Sequence, residues 1–150
     1  MAIPKVLFLC TQNSARSQIA EAFLRKYSDS FDVTSAGLEA GTLNPLVVEA
    51  MNEVGIDISN NKTKSAFDLY KAGASFTYVV TVCDKESAQR CPVFPGVAAR
   101  FHWSFDDPAG FAGSRDEVMA RTRLVRDAIE SRVKAFVLVV APESIKEQVR

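Results

Sequence analysis

Three cysteines and one arginine carry most of the chemistry this chain could perform. Cys10 ends the apolar run Val6-Leu7-Phe8-Leu9. Thr11, Gln12, Asn13, Ser14, Ala15, Arg16 and Ser17 follow it. A loop of backbone N–H groups at the positive end of a helix cradles a tetrahedral anion. A guanidinium adds a planar, two-pronged donor for the same anion. A sulfur in that field is held as a thiolate and can attack the anion's central atom. Thr11 to Ser17 is therefore the candidate oxyanion-binding loop, with Cys10 as nucleophile and Arg16 as anion clamp. A lone cysteine is more often a small core residue, but a hydrophobic core would not surround it with Thr11, Asn13, Ser14 and Ser17. Asn13 is expected to brace the loop through backbone hydrogen bonds, and Ser17 to donate to the thiolate. Cys83 and Cys91 lie in a polar stretch closed by Pro92, Pro95 and Gly96. Asp106-Asp107-Pro108-Ala109-Gly110 offers a carboxylic acid that could supply a proton, although these residue types also make a plain turn.

The elements that must position these groups alternate along the chain. Residues 3–9 predict a buried strand and residues 14–28 a helix. Ile19, Ala20, Phe23, Leu24 and Tyr27 form its inner face, and Ser14 or Asn13 is its expected cap. A second strand covers 31–35. Asn44-Pro45 opens a helix through Leu46, Val47, Ala50, Met51 and Val54, which Gly55 stops. Residues 57–64 are polar connection, followed by a short helix with Phe67, Leu69 and Tyr70 that ends at Gly73. Residues 76–82 are the strongest strand signal, and residues 83–96 read as a mobile polar loop. A fourth strand spans 100–105. The last long helix runs over 115–140, with Val118, Arg121, Thr122, Val125, Ile129, Val133, Phe136 and Val140 as its inner stripe, the two polar members at its edge; periodicity alone would also allow a strand at 135–140. The class is α/β, a four-stranded parallel sheet flanked by helices. In such sheets ligands bind at the carboxyl ends of the strands. Cys10, Cys83 and Asp106-Asp107 all fall at those ends and can share one rim.

The 150 residues suit one domain, 1–150, with a full core. Eighteen basic residues balance eighteen acidic ones, which argues against nucleic acid or an anionic membrane as partner. No signal-peptide pattern stands at the N-terminus, and the apolar run 135–141 is too short to span a bilayer. A cytoplasmic monomer is expected. In that reducing setting the cysteines read as reactive groups or metal ligands rather than a structural framework.

The loop resembles that of the low-molecular-weight protein tyrosine phosphatase superfamily, with its anion-binding P-loop. The likeness continues through Ser35-Ala36-Gly37, Asn44-Pro45, Gly55-Ile56-Asp57-Ile58-Ser59 and Asp107-Pro108. It implies that Asp107 is the general acid. Val80-Thr81-Val82-Cys83, Cys91-Pro92 and the stretch from His102 to Gly110 resemble the thioredoxin-coupled arsenate reductases of that superfamily in particular. That branch implies a relay in which Cys10 attacks arsenate, Cys83 attacks Cys10, and Cys91 attacks Cys83. It also implies phosphate or sulfate as competing oxyanions, no bound cofactor or metal, and reducing equivalents from thioredoxin. Many relatives carry a glycine where Gln12 stands and a further cysteine where Ala15 stands. Gln12 implies either that its backbone does not need glycine or that its side chain adds a contact at the mouth. Some relatives hold a potassium ion beneath the loop; Asn13, Glu21 and Ser35 match its ligands, and Lys64 near the remaining acidic position could supply an ammonium instead.

Three other readings compete. A phosphomonoester phosphatase would need only Cys10, Arg16 and Asp107, but by resemblance an aromatic residue would follow Pro108, where this chain has Ala109-Gly110. A Cys3His zinc site could use the three cysteines and His102, although Arg16 would repel the cation and His102 reads as a strand-end residue. A redox switch would use Cys83 and Cys91 alone.

Overall fold

The structure, a computed structural model, describes residues 3–146; Met1 and Ala2 of the N-terminal stretch read above, and residues 147–150, lie outside them. The first strand, β1 (Lys5–Cys10), is buried at every position after Lys5. Its unbroken apolar run suits a central parallel strand covered on both faces. It is flanked by β2 (Asp32–Gly37) and β3 (Tyr78–Thr81), and β4 (Ala99–His102) pairs with β3 at the edge. The sheet is parallel throughout, in the order β2-β1-β3-β4. Cys10 stands opposite Gly37, and Leu9 opposite Thr81. That register sets Cys10, the chain after β2 and the chain leaving β3 on one rim, as the strand ends predict.

Helices α1 (Arg16–Tyr27) and α5 (Arg115–Val140) cover one face, with α2 (Pro45–Asn52) beside them. Phe8, Val80, Ile19, Phe23, Ile129 and Val133 meet in that core. On the other face Leu7, Leu9 and Val79 pack against Ala66 of α3 (Ala66–Lys71) and against Phe76 and Phe94. The predicted inner face of α1 is buried in full. Asn44 caps α2 by accepting from the N–H groups of Leu46 and Val47, and Gly55 (φ 81°) follows in the left-handed region. Ser114 and Glu117 close a capping box on α5.

The structure revises four expectations. First, α1 begins at Arg16, and neither Ser14 nor Asn13 caps it: the cap residue is Ala15, with no side-chain bond. The chain from Asn13 to Ala15 bends into a bowl, with Asn13 at φ 56° and Ala15 at φ −143°, ψ −86°, so it cannot yet be helical. Second, residues 83–96 are not all loop, because α4 (Lys85–Gln89) forms there, capped by Asp84 on the N–H of Ser87. Third, β4 ends at His102, three residues early. Fourth, the two polar members of the α5 stripe do not share its edge: Thr122 is fully buried, its hydroxyl donating to the Val118 carbonyl at 2.8 Å, while Arg121 is exposed, its guanidinium 5.9 Å from the Phe111 ring centroid. Arg126 is the buried cation instead, donating to the Ala50 carbonyl at 2.9 Å and to Glu53 at 2.8 Å. Residues 135–140 are helical: Phe136 and Val137 turn inward while Ala135, Leu138 and Val139 are exposed.

Candidate active site

The bowl after β1 is held from outside. The carbonyls of Cys10, Thr11, Gln12 and Ser14 accept from the N–H groups of Leu38, Glu39, Gly41 and Asn44 at 2.9–3.1 Å. The Asn13 carbonyl accepts from Gln18 Nε2 at 3.1 Å, and that of Ala15 from the Ile19 N–H at 3.0 Å. With its carbonyls engaged, the loop has N–H groups to offer an anion. The leading turn of α1, uncapped by any side chain, adds its positive end. Close approach matters at Gly37, where a Cβ would lie 2.6 Å from the Asn13 nitrogen and 2.7 Å from the Gln12 carbonyl carbon.

Arg16, the opening residue of α1, is buried. It donates to the Phe105 carbonyl at 3.2 Å and pairs with Asp107 Oδ2 at 3.3 Å. This accompanies the early end of β4: after the Trp103 N–H, which still donates to the Thr81 carbonyl at 2.8 Å, the chain turns off and brings the Phe105 carbonyl and Asp107 over the bowl. Asp107 caps the turn Pro108–Gly110 through the Ala109 N–H, and its side chain is 46% exposed. Cys10, Thr11, Gln12, Ser14, Ala15, Arg16, Asp107 and Ala109 enclose a cavity of about 110 Å³. Asn13 and Ser17 are fully buried and serve the loop from within. Cys10 Sγ lies 2.8 Å from Ser17 Oγ, which itself accepts from Asn13 Nδ2 at 2.8 Å. With that acceptance made, the Ser17 hydroxyl can donate to the sulfur.

Asn13 Nδ2 also donates to Ser35 Oγ at 2.9 Å, and Ser35 Oγ donates to Glu21 Oε1 at 2.6 Å. Asn13 Oδ1 accepts from the Lys64 N–H at 2.9 Å and from Gln18 at 3.2 Å. These groups satisfy one another, with Asn13 turning an amide nitrogen toward Ser35. They do not fit the potassium ion of some relatives. The Lys64 ammonium does not take the ion's place either: it donates to the Lys62 carbonyl at 3.2 Å, and Lys64 supports the loop through its backbone. Gln12 does not have a positive φ, so glycine is not required there; its side chain packs against Gly41 and lines the cavity. Sequence periodicity assigns Gln18 no role. It stands off the apolar stripe of α1 and is buried because residues 61–62 lie against it.

Cys83 lies two residues past the end of β3 and is fully buried, while Cys91, beyond α4, is half-buried. Cys91 Sγ donates to the Ser87 carbonyl at 3.7 Å. Burial, then the charge of Cys91, pushes the Cys83 thiol up to about 12. Burial, then the charge of Cys10, pushes Cys91 up to about 11. The signal for α4 was present in the sequence: Asp84 is a strong cap residue and Glu86 favours a leading turn. His102 lies 2.7 Å from Thr81 Oγ1 and 3.1 Å from Ser104 Oγ, a local strand-end role. Among the described residues no group of three or more His, Cys, Asp or Glu side chains is arranged to hold a metal ion.

Comparison with known proteins places this geometry. An arsenate reductase of Shouchella clausii is 47% identical over 132 residues, covering 87% of this chain and 93% of that protein. An arsenate reductase of Bacillus subtilis is 46% identical with the same coverage. Among solved structures, an arsenate reductase in the phosphate binding state superposes with a TM-score of 0.71 at 29% identity, covering 92% of this chain and 99% of that one. A thioredoxin-dependent arsenate reductase of Corynebacterium glutamicum gives a TM-score of 0.65 at 28% identity, covering 95% of this chain and 64% of that one. The family model for low molecular weight phosphotyrosine protein phosphatase matches residues 5–150, and with the bowl, the buried arginine and the parallel sheet in view, this chain belongs to that family.

Proposed function

We propose that this chain is an arsenate reductase that converts arsenate to arsenite by a three-cysteine relay, with residues 1–150 acting as one domain. The observation that carries the reading is the pair of further thiols: Cys83 is buried in the same core cluster as Cys10, and Cys91 lies one short helix beyond it. Phosphomonoester hydrolysis would use Cys10, Arg16 and Asp107 and leave both thiols without a task. The relatives named above support the reduction.

The Cys10 thiolate attacks arsenic(V). The oxygen that departs takes a proton from Asp107 and leaves as water, giving a Cys10–arsenic adduct. Arg16 and the loop N–H groups hold the other oxygens and the charge that builds on them. Cys83 then attacks the sulfur of Cys10. The S–As bonding pair passes to arsenic, which departs as arsenic(III), and a Cys10–Cys83 disulfide remains. Cys91 next attacks Cys83 Sγ, frees the Cys10 thiolate and leaves Cys83–Cys91 oxidised. A dithiol of thioredoxin type supplies two electrons to reduce that bond. The first exchange requires Cys83 to leave its buried, protonated state, and the second requires Cys91 to lose its proton and reach Cys83 Sγ, so α4, which separates them, must unwind. Five residues of isolated helix are too few to be stable by themselves. The reading suits a monomer in the reducing cytoplasm. Among the described residues, no helix is long and apolar enough to cross a membrane.

The test is arsenate-dependent oxidation of NADPH in the presence of thioredoxin and thioredoxin reductase, compared with aryl phosphate hydrolysis by the same sample. Turnover of arsenate that exceeds phosphate ester hydrolysis supports the reading. A Cys83→Ser variant that reduces arsenate at the normal rate sinks the relay. In Cys91→Ser, mass spectrometry is expected to find the Cys10–Cys83 disulfide.

A further inference from the structure

We infer that Gln18 and Asn61 form a latch that positions the oxyanion loop from behind, although neither side chain is among those that wall the cavity. The inference rests on the reading that this loop binds a tetrahedral oxyanion. Gln18 is fully buried. Its Nε2 group faces three acceptors: the Asn13 carbonyl at 3.1 Å, Asn13 Oδ1 at 3.2 Å and the Lys62 carbonyl at 3.2 Å. Its Oε1 accepts from Asn61 Nδ2 at 3.1 Å.

Asn13 is the residue that needs such support. Among the described residues it is the one non-glycine with positive φ, at 56°. A side chain there persists only when its surroundings over-determine it. Asn13 also holds Ser17, and Ser17 holds the Cys10 sulfur. An amide has a donor end and an acceptor end, so the orientation of Gln18 is decisive: reversed, it would turn oxygen against two oxygens of Asn13. Asn61 sets that orientation by donating to Oε1. Asn61 is exposed, so it can be changed without opening the core. The pair are positioning residues, acting on the anion and on Cys10 only through Asn13.

Asn61→Asp replaces the donor with a carboxylate that repels Gln18 Oε1 and attracts Nε2, and so turns the amide away from Asn13. Asn60→Asp places the same charge on the neighbouring exposed residue and is the control for charge alone. Phosphate binding is measured by calorimetry with inorganic phosphate, and the pH profile of Cys10 alkylation by iodoacetamide is recorded alongside. Asn61→Asp is expected to weaken phosphate about fivefold and Gln18→Met about tenfold, from hydrogen-bond energies of ordinary size. In both variants Cys10 alkylation should move to higher pH, whereas Asn60→Asp should stay within about twofold of wild type, as for a solvated surface charge. Should Gln18→Met fail to fold, Asn61→Asp decides. Equal phosphate affinity and an unmoved pH profile in Asn61→Asp, or an equal loss in Asn60→Asp, overturns the latch. A wild type that takes no phosphate overturns the oxyanion reading together with the latch; wild-type binding that Asn61→Asp leaves unchanged overturns the latch alone.

Discussion

The loop from Cys10 to Ser17 and the segment from Cys83 to Cys91 both carry reactive sulfur, yet they are held in opposite ways. The loop is tied by groups distant in sequence: Leu38, Glu39, Gly41, Asn44 and Lys64 all donate to it. Among the described residues, the hydrogen bonds of 84–91 stay within the segment: Asp84 with Ser87, Ala88 with Asp84, Arg90 with Ser87 and Cys91 with Ala88. Long-range ties fail only when the fold fails, whereas local ties can break and reform by themselves. The cradle can therefore keep its shape while the relay segment changes.

Removing the nucleophile gives the largest expected effect. Cys10→Ser should lose arsenate reduction by roughly four orders of magnitude or more, by analogy with other covalent nucleophiles, as read in the coupled NADPH assay. It should leave the melting temperature little changed. Asp107→Asn should lower turnover by about 10²- to 10³-fold, the usual range for a lost general acid. Phosphate affinity should hold or improve, because the carboxyl group that engages Arg16 at 3.3 Å is replaced. If affinity collapses along with turnover, Asp107 is part of the cradle rather than a separate acid. Gly37→Ala strikes the rigid region through its frame: its new Cβ meets backbone at 2.6 Å, at a cost of about 1–3 kcal/mol. It should weaken phosphate by about tenfold.

High pH tests the relay segment. The Cys83 thiol rises from 9.0 to about 12 in the folded protein. A raised thiol means that the folded state keeps a proton the unfolded chain releases, so stability falls as pH rises from about 9 toward 12. The urea midpoint should drop between pH 8.5 and about 10.5 in wild type and drop less in Cys83→Ala. The smallest effect is expected from Asp84→Ala, which removes the cap of α4 at a local cost of about 1 kcal/mol. Alkylation of Cys83 and Cys91 should speed up while phosphate affinity stays unchanged. A fall in phosphate affinity would show that the two regions are not independent.

Much of the fold and site was legible because it is written in local pattern. The buried run before Cys10, the stripe Ile19 to Tyr27 and the Asn44-Pro45 start each depend on neighbours within a turn or two. Even α4 was announced by Asp84, although the polar composition around it favoured a loop reading. Helical spacing gives the α5 stripe but not the rotation at which α2 meets it, so spacing does not show that Thr122 is fully buried or that Arg126 reaches the Ala50 carbonyl and Glu53.

By itself the sequence determined the α/β alternation of most strands and helices, the placement of Cys10 and Arg16 between a strand and a helix, and the presence of two further thiols. Each follows from residue type and short spacing. Only the tertiary structure decided which groups meet. It brought the Phe105 carbonyl and Asp107 to Arg16 across 89 and 91 positions, and set Gly37 against the loop. It also buried Gln18 behind Asn13, and it showed that Asn13, Glu21 and Ser35 satisfy one another without an ion. These contacts come from parallel pairing in one register, which carries distant strand ends to a common rim. No local propensity encodes that meeting.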